Sequence, residues 1–165
     1  MEEENELISQ RIQKLNNLRQ SGVNPYPYSF DQKDHAKDIL EKFKKIKKEE
    51  HTKEKVKIAG RIISLRIMGK ASFANVLDQS GKVQIYVKEE SLGKDRYKLF
   101  SKFDLGDIIG VEGTVFRTKT GEISVWVKNV ELLSKSIRPL PAKWHGLKDV
   151  EVRYRKRHLD LISNL

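Results

Sequence analysis

The chain has 165 residues and contains no cysteine, which excludes a disulfide framework and any metal site built on thiolates. No apolar run approaches the ~20 residues that cross a bilayer, and the acidic start MEEENE is unlike a signal peptide, so we expect a cytoplasmic protein without membrane contact. The net charge of +10 lies in residues 55–137 and 138–165, because basic and acidic side chains balance in residues 1–54; this excess favours a polyanionic partner.

The first 54 residues are predicted to form a helical extension. Apolar residues at helical spacing predict a helix from Glu2 to Gln20. Arg11 and Lys14 lie one turn apart on this helix, off its apolar stripe, and are candidate phosphate contacts, although a solvated helix face is the commoner explanation for such a pair. A second helix is expected after Asp34 as its N-cap, burying four apolar residues, Ile39, Leu40, Phe43 and Ile46.

Three strands are predicted between residues 55 and 88, because Val, Ile, Phe and Tyr alternate with polar residues there. The first strand runs from about Lys55 to Ile67. It has Gly60 in its middle, where an interior glycine often marks a bulge or a bend. The turns Met68-Gly69-Lys70 and Asp78–Gly81 lead to the second and third strands.

The turn Asp78–Gly81 fixes which side chains of the second and third strands share a face. If it is a four-residue loop, Phe73 lies opposite Tyr86, and Asn75 lies opposite Gln84. The other face is then a core face, formed by Ala74, Val76, Val83, Ile85 and Val87. An aromatic ring beside side-chain amides can stack on a nucleobase and read its edge, so the outer face is a candidate nucleic-acid surface.

The remaining elements complete a closed barrel. Helical spacing predicts a helix from about Glu90 to Phe103, and two strands follow, about Ile108 to Arg117 and Glu122 to Leu133, joined by the turn Thr118–Gly121. Three strands, a helix and two more strands are the order of an OB-fold, so we expect an all-β five-stranded barrel over residues 55–137. An up-and-down barrel and an SH3-like barrel are the alternatives, and the helix between strands three and four favours the OB-fold.

Several ordered blocks of the sequence resemble one known family. They are AGRIISLRIMGKASFANVLDQSGKVQIYV, DLGDIIGVEGTVFRTKTGEISV, IRPLP, WHGL and RYRKRHLDLISN. These blocks resemble the N-terminal, anticodon-binding part of class II lysyl-tRNA synthetases, from about residue 7 to the end of the chain. The aspartyl and asparaginyl enzymes share the barrel but are less similar in the RIMGKASF and TKTGE blocks.

This resemblance implies that a uridine-rich tRNA anticodon spreads over the barrel. The family's stacking phenylalanine falls on Phe73, and the arginine and glutamine that contact the same base fall on Arg66 and Gln84. A glutamate that contributes to the neighbouring base falls on Glu122. Each has a structural alternative: Phe73 could pack under the N-terminal helix, Arg66 could pair with a local acid, and Glu122 could be an ordinary turn residue. Flexible lysines near the turns, Lys70, Lys82 and Lys119, are further candidate phosphate contacts.

No catalytic residue can be assigned from the sequence. The arginine-bearing and glycine-rich strands with which class II synthetases bind ATP do not appear, and the four histidines show no ligand spacing for a metal. The resemblance implies a homodimeric parent enzyme in which ATP and Mg²⁺ act only in a further domain, to which residues 138–165 would lead. We therefore expect anticodon recognition without charging activity in this chain alone. A stand-alone single-stranded nucleic-acid binder and a protein-interaction module are the competing interpretations.

Overall fold

Five strands close into a ring in the computed structural model, which describes residues 2–140, 147 and 149–164. The chain forms, in order, α1 (Glu2–Gln20), α2 (Ala36–Lys42), β1 (His51–Met68), β2 (Ala71–Leu77), β3 (Lys82–Lys88), α3 (Glu89–Leu92), α4 (Lys94–Phe100), β4 (Ile108–Arg117), β5 (Ile123–Ser134), α5 (Val150–Arg155) and α6 (Arg157–Ser163). Of the blocks that carry the family resemblance, Pro141 and residues 144–146 lie outside the described residues.

The strand order around the ring is β1-β2-β3-β5-β4, and β4 returns to β1. All neighbouring strands are antiparallel except β3 and β5, which pair in parallel over three residue pairs. With α3 and α4 inserted between β3 and β4, this is the predicted five-stranded OB-fold barrel. The predicted barrel segment, residues 55–137, contains these strands except for the first four residues of β1.

The barrel interior is filled by the alternate side chains of each strand. The β2–β3 register pairs Phe73 with Tyr86 and Asn75 with Gln84, which confirms the prediction from the four-residue turn. The five residues assigned to the core face are each at most 2% exposed. Every strand contributes at least one side chain that is 1% exposed or less, among them Ile62, Val76, Ile85, Val111 and Val125. Burial of such a side chain stabilises the fold by about 1.5–3 kcal/mol.

Strand β1 is bent, but the predicted bulge lies three residues beyond the predicted position. Its register against β2 shifts between Ile62 and Ser64, so Ile63 is the extra residue. Gly60 has a different reason: a Cβ there would lie 2.5 Å from the carbonyl oxygen of Leu77. The glycine therefore permits close approach of β1 and β2, and the bulge at Ile63 changes which residues of β1 face inward.

Helix α2 is capped by the β2–β3 turn, and the prediction of Asp34 as its N-cap is wrong. Asp34 instead accepts a hydrogen bond from the backbone N–H of Lys57 at 2.7 Å. The carboxylate of Asp78 accepts from the N–H of Ala36 at 2.7 Å, and the hydroxyl of Ser80 accepts from the N–H of Lys37 at 3.0 Å. A tertiary contact thus supplies the acceptors that local sequence was expected to provide.

The predicted helix over residues 90–103 is two short helices. They meet at Gly93, whose φ of 91° lies in a region that L-residues rarely adopt. Leu92, Tyr97 and Phe100 from the two helices are buried against the end of the barrel. The apolar spacing thus correctly identified the buried side chains but not the break between the helices.

Buried charges tie the end of β5 to the loop before β4. The side chain of Lys135 is fully buried, and its Nζ donates to the carboxylate of Asp107 at 2.9 Å and to Asp104 at 2.6 Å. Burial alone would raise the pKa of Asp104, but hydrogen bonds from Lys135 and Lys14 outweigh it and lower that pKa.

Helix α1 is attached to the same network through the two basic residues predicted as phosphate contacts. Lys14 Nζ donates to Asp104 at 2.6 Å. Arg11 Nη1 donates to the carbonyl oxygens of Ser136 at 3.1 Å and Arg138 at 3.3 Å. Both side chains therefore hold α1 against the barrel and the segment that follows β5, and a phosphate role for them stays a prediction.

Substitution Asp78→Ala should lower the free energy of unfolding by about 1–3 kcal/mol, because it leaves the N–H groups of Ala36, Ser80 and Gly81 without their acceptor. Chemical denaturation measures the change. Gln79→Ala in the same turn is the control and should change stability by less than about 0.5 kcal/mol. Equal effects of the two substitutions would contradict the cap.

The lowered pKa of Asp104 predicts that its contribution to stability is lost in acid. Its folded pKa lies below its unfolded value of about 3.9, so the stabilisation is present above that value and disappears as pH falls through the folded pKa. The difference in unfolding free energy between the wild type and Asp104→Asn should be largest above about pH 5 and shrink below about pH 4. Denaturant titrations across this range measure it, with exposed Asp31→Asn as the control. A difference that is constant with pH would contradict the assignment.

Candidate nucleic-acid interface

An open cleft of about 710 Å³ lies on the outer face of the barrel. Side chains from all five strands or their ends line it, including the four predicted outer-face residues, Phe73, Asn75, Gln84 and Tyr86. All four are partly exposed, whereas their neighbours along each strand are buried. The alternation of β2 and β3 therefore separates a packing face from a face that is available to a ligand.

Aromatic rings form a continuous row along this cleft. The ring centroids of Phe73 and Tyr86 are 4.7 Å apart, and Tyr86 lies 4.9 Å from Trp126. Phe116 lies 5.5 Å from Trp126, and His51 stacks on Phe116 at 5.0 Å with nearly parallel rings. A row of rings that fix one another, with the outer members partly exposed, is a stacking platform for unpaired bases.

Two side-chain amides on the same face have fixed orientations. The Ser124 hydroxyl donates to Gln84 Oε1 at 2.8 Å, which leaves the Gln84 amide N–H groups to face the cleft as donors. Asn75 Nδ2 donates to the Ser64 hydroxyl at 2.8 Å, which leaves Asn75 Oδ1 as an acceptor. Because Asn75 and Gln84 lie opposite each other, a donor and an acceptor stand side by side next to the ring of Phe73.

Arg66 completes the Phe73 end of the cleft. It lies directly opposite Phe73 in the β1–β2 register, is exposed and lines the cleft. Its guanidinium offers directed donors beside the aromatic ring. The structure therefore brings together three of the four residues predicted to contact bases.

The fourth, Glu122, is exposed at the end of the β4–β5 turn and is not among the residues that line the cleft. Its backbone closes the turn, since its N–H donates to the Thr118 hydroxyl at 2.9 Å. Lys119 in this turn is exposed and lines the cleft, while Lys70 and Lys82 are exposed at the β1–β2 and β2–β3 turns. These three lysines are therefore open to a polyanion near the aromatic row.

A different carboxylate, Glu49, lines the cleft at the end opposite Phe73. Its φ of 61° is left-handed, a conformation that costs an L-residue about 1–2 kcal/mol. Backbone hydrogen bonds from Glu49 N–H to Arg117 O and from Arg117 N–H to Glu50 O hold this conformation. The loop before β1 is thereby attached to the end of β4.

Sequence reasoning missed His51, Phe116 and Trp126 as members of the face. Each comes from an element that is distant in sequence from β2, and the pairing of Tyr86 with Trp126 depends on the parallel β3–β5 contact. The one available signal was alternation in β5, which places Ser124 and Trp126 on the side opposite Val125 and Val127.

Comparison with known proteins decides the family. Residues 56–133 match the model of the tRNA anticodon family, described as an OB-fold nucleic acid binding domain. These residues belong to that family. The matched segment contains nearly all of the barrel, including Arg66, Phe73, Gln84 and Trp126, so the anticodon-binding OB-fold domain and the aromatic cleft coincide.

Curated relatives extend the similarity over almost the whole chain. The lysine–tRNA ligase of Carboxydothermus hydrogenoformans is 53% identical over 163 residues, which are 99% of this chain and 32% of that protein. The lysine–tRNA ligases of Moorella thermoacetica and Bacillus cereus are both 48% identical, over 99% of this chain and 32% and 33% of theirs. The resemblance to lysyl-tRNA synthetases is thereby confirmed, and the chain spans about one third of the length of these relatives.

Two further searches concern other kinds of site. Among the described residues, no helix has both the length and the apolar character needed to cross a membrane. In the same part of the chain, no three histidine or acidic side chains lie together in a group that could hold a metal ion.

The orientation of the outer face predicts different costs for two substitutions on neighbouring strands. Phe73→Ala should destabilise the fold by only about 0.5–1.5 kcal/mol, the value of an aromatic pair, because Phe73 faces the cleft. Ile85→Ala should cost about 2–5 kcal/mol, since Ile85 is fully buried in the barrel. Thermal or denaturant unfolding of both variants tests the assignment, and a loss from Phe73→Ala as large as that from Ile85→Ala would place Phe73 in the core.

Proposed function

We propose that this chain binds the anticodon loop of a tRNA as the N-terminal, anticodon-recognising part of a lysine–tRNA ligase. The observation that carries the proposal is the Phe73 end of the cleft, where an exposed aromatic face lies beside the oriented amide of Gln84 and the guanidinium of Arg66. One base stacks on Phe73, and the two polar side chains read its edge.

The base that suits this end is uridine. Uracil presents two carbonyl oxygens, and the Gln84 amide and Arg66 are two directed donors that match them. Cytosine has one carbonyl oxygen and an amino group in place of the other, so it loses one of these hydrogen bonds. A uridine-rich anticodon is therefore the expected ligand, with Glu122 contributing to a neighbouring base.

The basic residues add an attraction that does not depend on sequence. Lys70, Lys82 and Lys119 are exposed near the cleft, where ammonium groups neutralise phosphates as point charges. They raise the affinity for any RNA strand, whereas Phe73, Arg66 and Gln84 select the base. Affinity and selectivity are thus carried by different side chains.

The enzymatic context of the domain follows from its relatives and belongs to this proposal. The parent protein would be a cytoplasmic, homodimeric ligase that charges tRNA with lysine, using ATP and Mg²⁺. These steps would depend on the two thirds of the relatives' length that this chain does not cover. The role of this chain is to increase the ligase's affinity for its own tRNA.

The proposal predicts that Gln84→Ala loses affinity for a uridine-centred anticodon stem-loop by about 1–3 kcal/mol and barely changes affinity for a cytidine-centred one. Lys82→Ala, the matched control on the same strand, should weaken both stem-loops alike. It should also lower the magnitude of the log–log salt slope by about 0.7–0.9 per phosphate contact. Titrations of both variants against both stem-loops at two salt concentrations measure these effects.

The outcome separates the proposal from its main competitor. If Gln84→Ala weakened both stem-loops equally, the aromatic row would be acting as a non-specific platform for single-stranded nucleic acid. Phe73→Ala completes the test, because it should weaken both stem-loops by about 1–3 kcal/mol through the loss of stacking. Unchanged binding by Phe73→Ala would contradict anticodon recognition at this cleft.

A further inference from the structure

The cleft is longer than the site at Phe73. Beyond Tyr86 and Trp126 it continues to a second end, where His51, Phe116 and the turn residues Thr118, Lys119 and Thr120 line it together with Glu49. This end combines an aromatic surface with a carboxylate, and none of the roles assigned above to Phe73, Arg66 and Gln84 involves it.

His51 supplies the aromatic surface. One face of its ring is covered by Phe116, with the two rings 5.0 Å apart and 11° from parallel, and the edge of Trp126 supports it at 5.2 Å. The residue is nevertheless exposed, unlike Phe116, which is 7% exposed. An imidazole ring held flat from below with its remaining surface open is suited to stacking against a base.

Glu49 supplies a fixed acceptor beside that surface. Its backbone is held in a left-handed conformation by the reciprocal hydrogen bonds with the end of β4, and its carboxylate lies 3.5 Å from Lys119 Nζ across the mouth of the cleft. Backbone strain of this kind persists where the surrounding structure determines it and is concentrated at ligand sites. A glycine or asparagine would adopt the conformation with less strain, and the sequence has neither at this position.

We propose that His51 and Glu49 form a second nucleotide subsite, which binds the base next to the one on Phe73 in the same RNA strand. The base stacks on His51, and the carboxylate of Glu49 accepts a hydrogen bond from its Watson–Crick edge. Lys119 neutralises the adjacent phosphate and the excess charge of the carboxylate. This inference rests on the proposed function, since it extends the same strand along the same cleft.

The chemistry of the carboxylate defines which bases the subsite prefers. An ionised carboxylate only accepts hydrogen bonds, so it favours a base whose ring nitrogen carries a proton, as in uracil and guanine. Cytosine and adenine present an unprotonated ring nitrogen at the corresponding place, which repels the carboxylate oxygen. The subsite therefore selects uridine or guanosine over cytidine or adenosine at a position that flanks the central base.

The test uses anticodon stem-loops in which uridine is replaced by cytidine at each of the two positions that flank the central base. The wild type should discriminate by about tenfold or more at one of them. Glu49→Gln should reduce this discrimination toward unity, because a side-chain amide can donate to cytosine as well as accept from uracil. Glu50→Gln removes the same charge one residue away, outside the cleft, and is the matched control that should retain it.

Two variants of His51 test the stacking half of the subsite. His51→Ala should weaken all the stem-loops by roughly five- to a hundredfold, whichever base flanks the centre. His51→Phe should restore most of the affinity, because it keeps a ring on Phe116. Thermal unfolding of each variant, with Glu50→Gln as reference, verifies that the barrel is intact.

The results distinguish failure of the subsite from failure of the proposed function. Discrimination that Glu49→Gln leaves unchanged at both flanking positions, or wild-type affinity in His51→Ala, would overturn the subsite. If Phe73→Ala still weakened binding in that case, anticodon recognition would stand without it. If Phe73→Ala also bound like the wild type, the proposed function would fail and the subsite with it.

Discussion

The parallel contact between β3 and β5 is the constraint on which the site depends. Only three residue pairs join the two strands, Gln84–Ser124, Ile85–Val125 and Tyr86–Trp126. The central pair points into the barrel and is fully buried, so its burial drives closure. The outer two pairs point into the cleft, where Ser124 orients the amide of Gln84 and Trp126 supports the ring of Tyr86. Closing the barrel therefore assembles the binding face in the same step.

The close approach of strands elsewhere in the barrel makes this closure possible. At Gly113 a Cβ would lie 2.1 Å from the carbonyl oxygen of Trp126, and at Gly110 it would lie 2.4 Å from the ring of Phe30. Any larger residue at Gly113 would displace β5 from β4 and move Trp126 with it. The cleft thus depends on glycines that contribute nothing to its surface, because they determine how far apart the strands lie.

What could be predicted from the sequence was set by how local the determining interactions are. The β2–β3 hairpin was predicted correctly, because a four-residue turn and strict alternation fix the faces of Phe73 and Gln84. The cap of α2 was predicted wrongly, because its acceptor is Asp78, 42 residues from Ala36. His51 and Trp126 were not recognised for the same reason, since only tertiary pairing brings them next to Tyr86. Gly93 broke a helix that its flanking apolar residues predicted as continuous.

The central claim is that a single-stranded RNA loop lies on the outer face of β2, β3 and β5. The most direct measurement is an NMR titration of the ¹⁵N-labelled chain with a uridine-rich anticodon stem-loop. The account predicts that the largest shifts of backbone amides fall on Phe73, Gln84, Ser124 and Trp126, with small changes at buried positions in α1. Shifts concentrated on α1 or on α5 and α6, with the cleft unaffected while the RNA is bound, would contradict it.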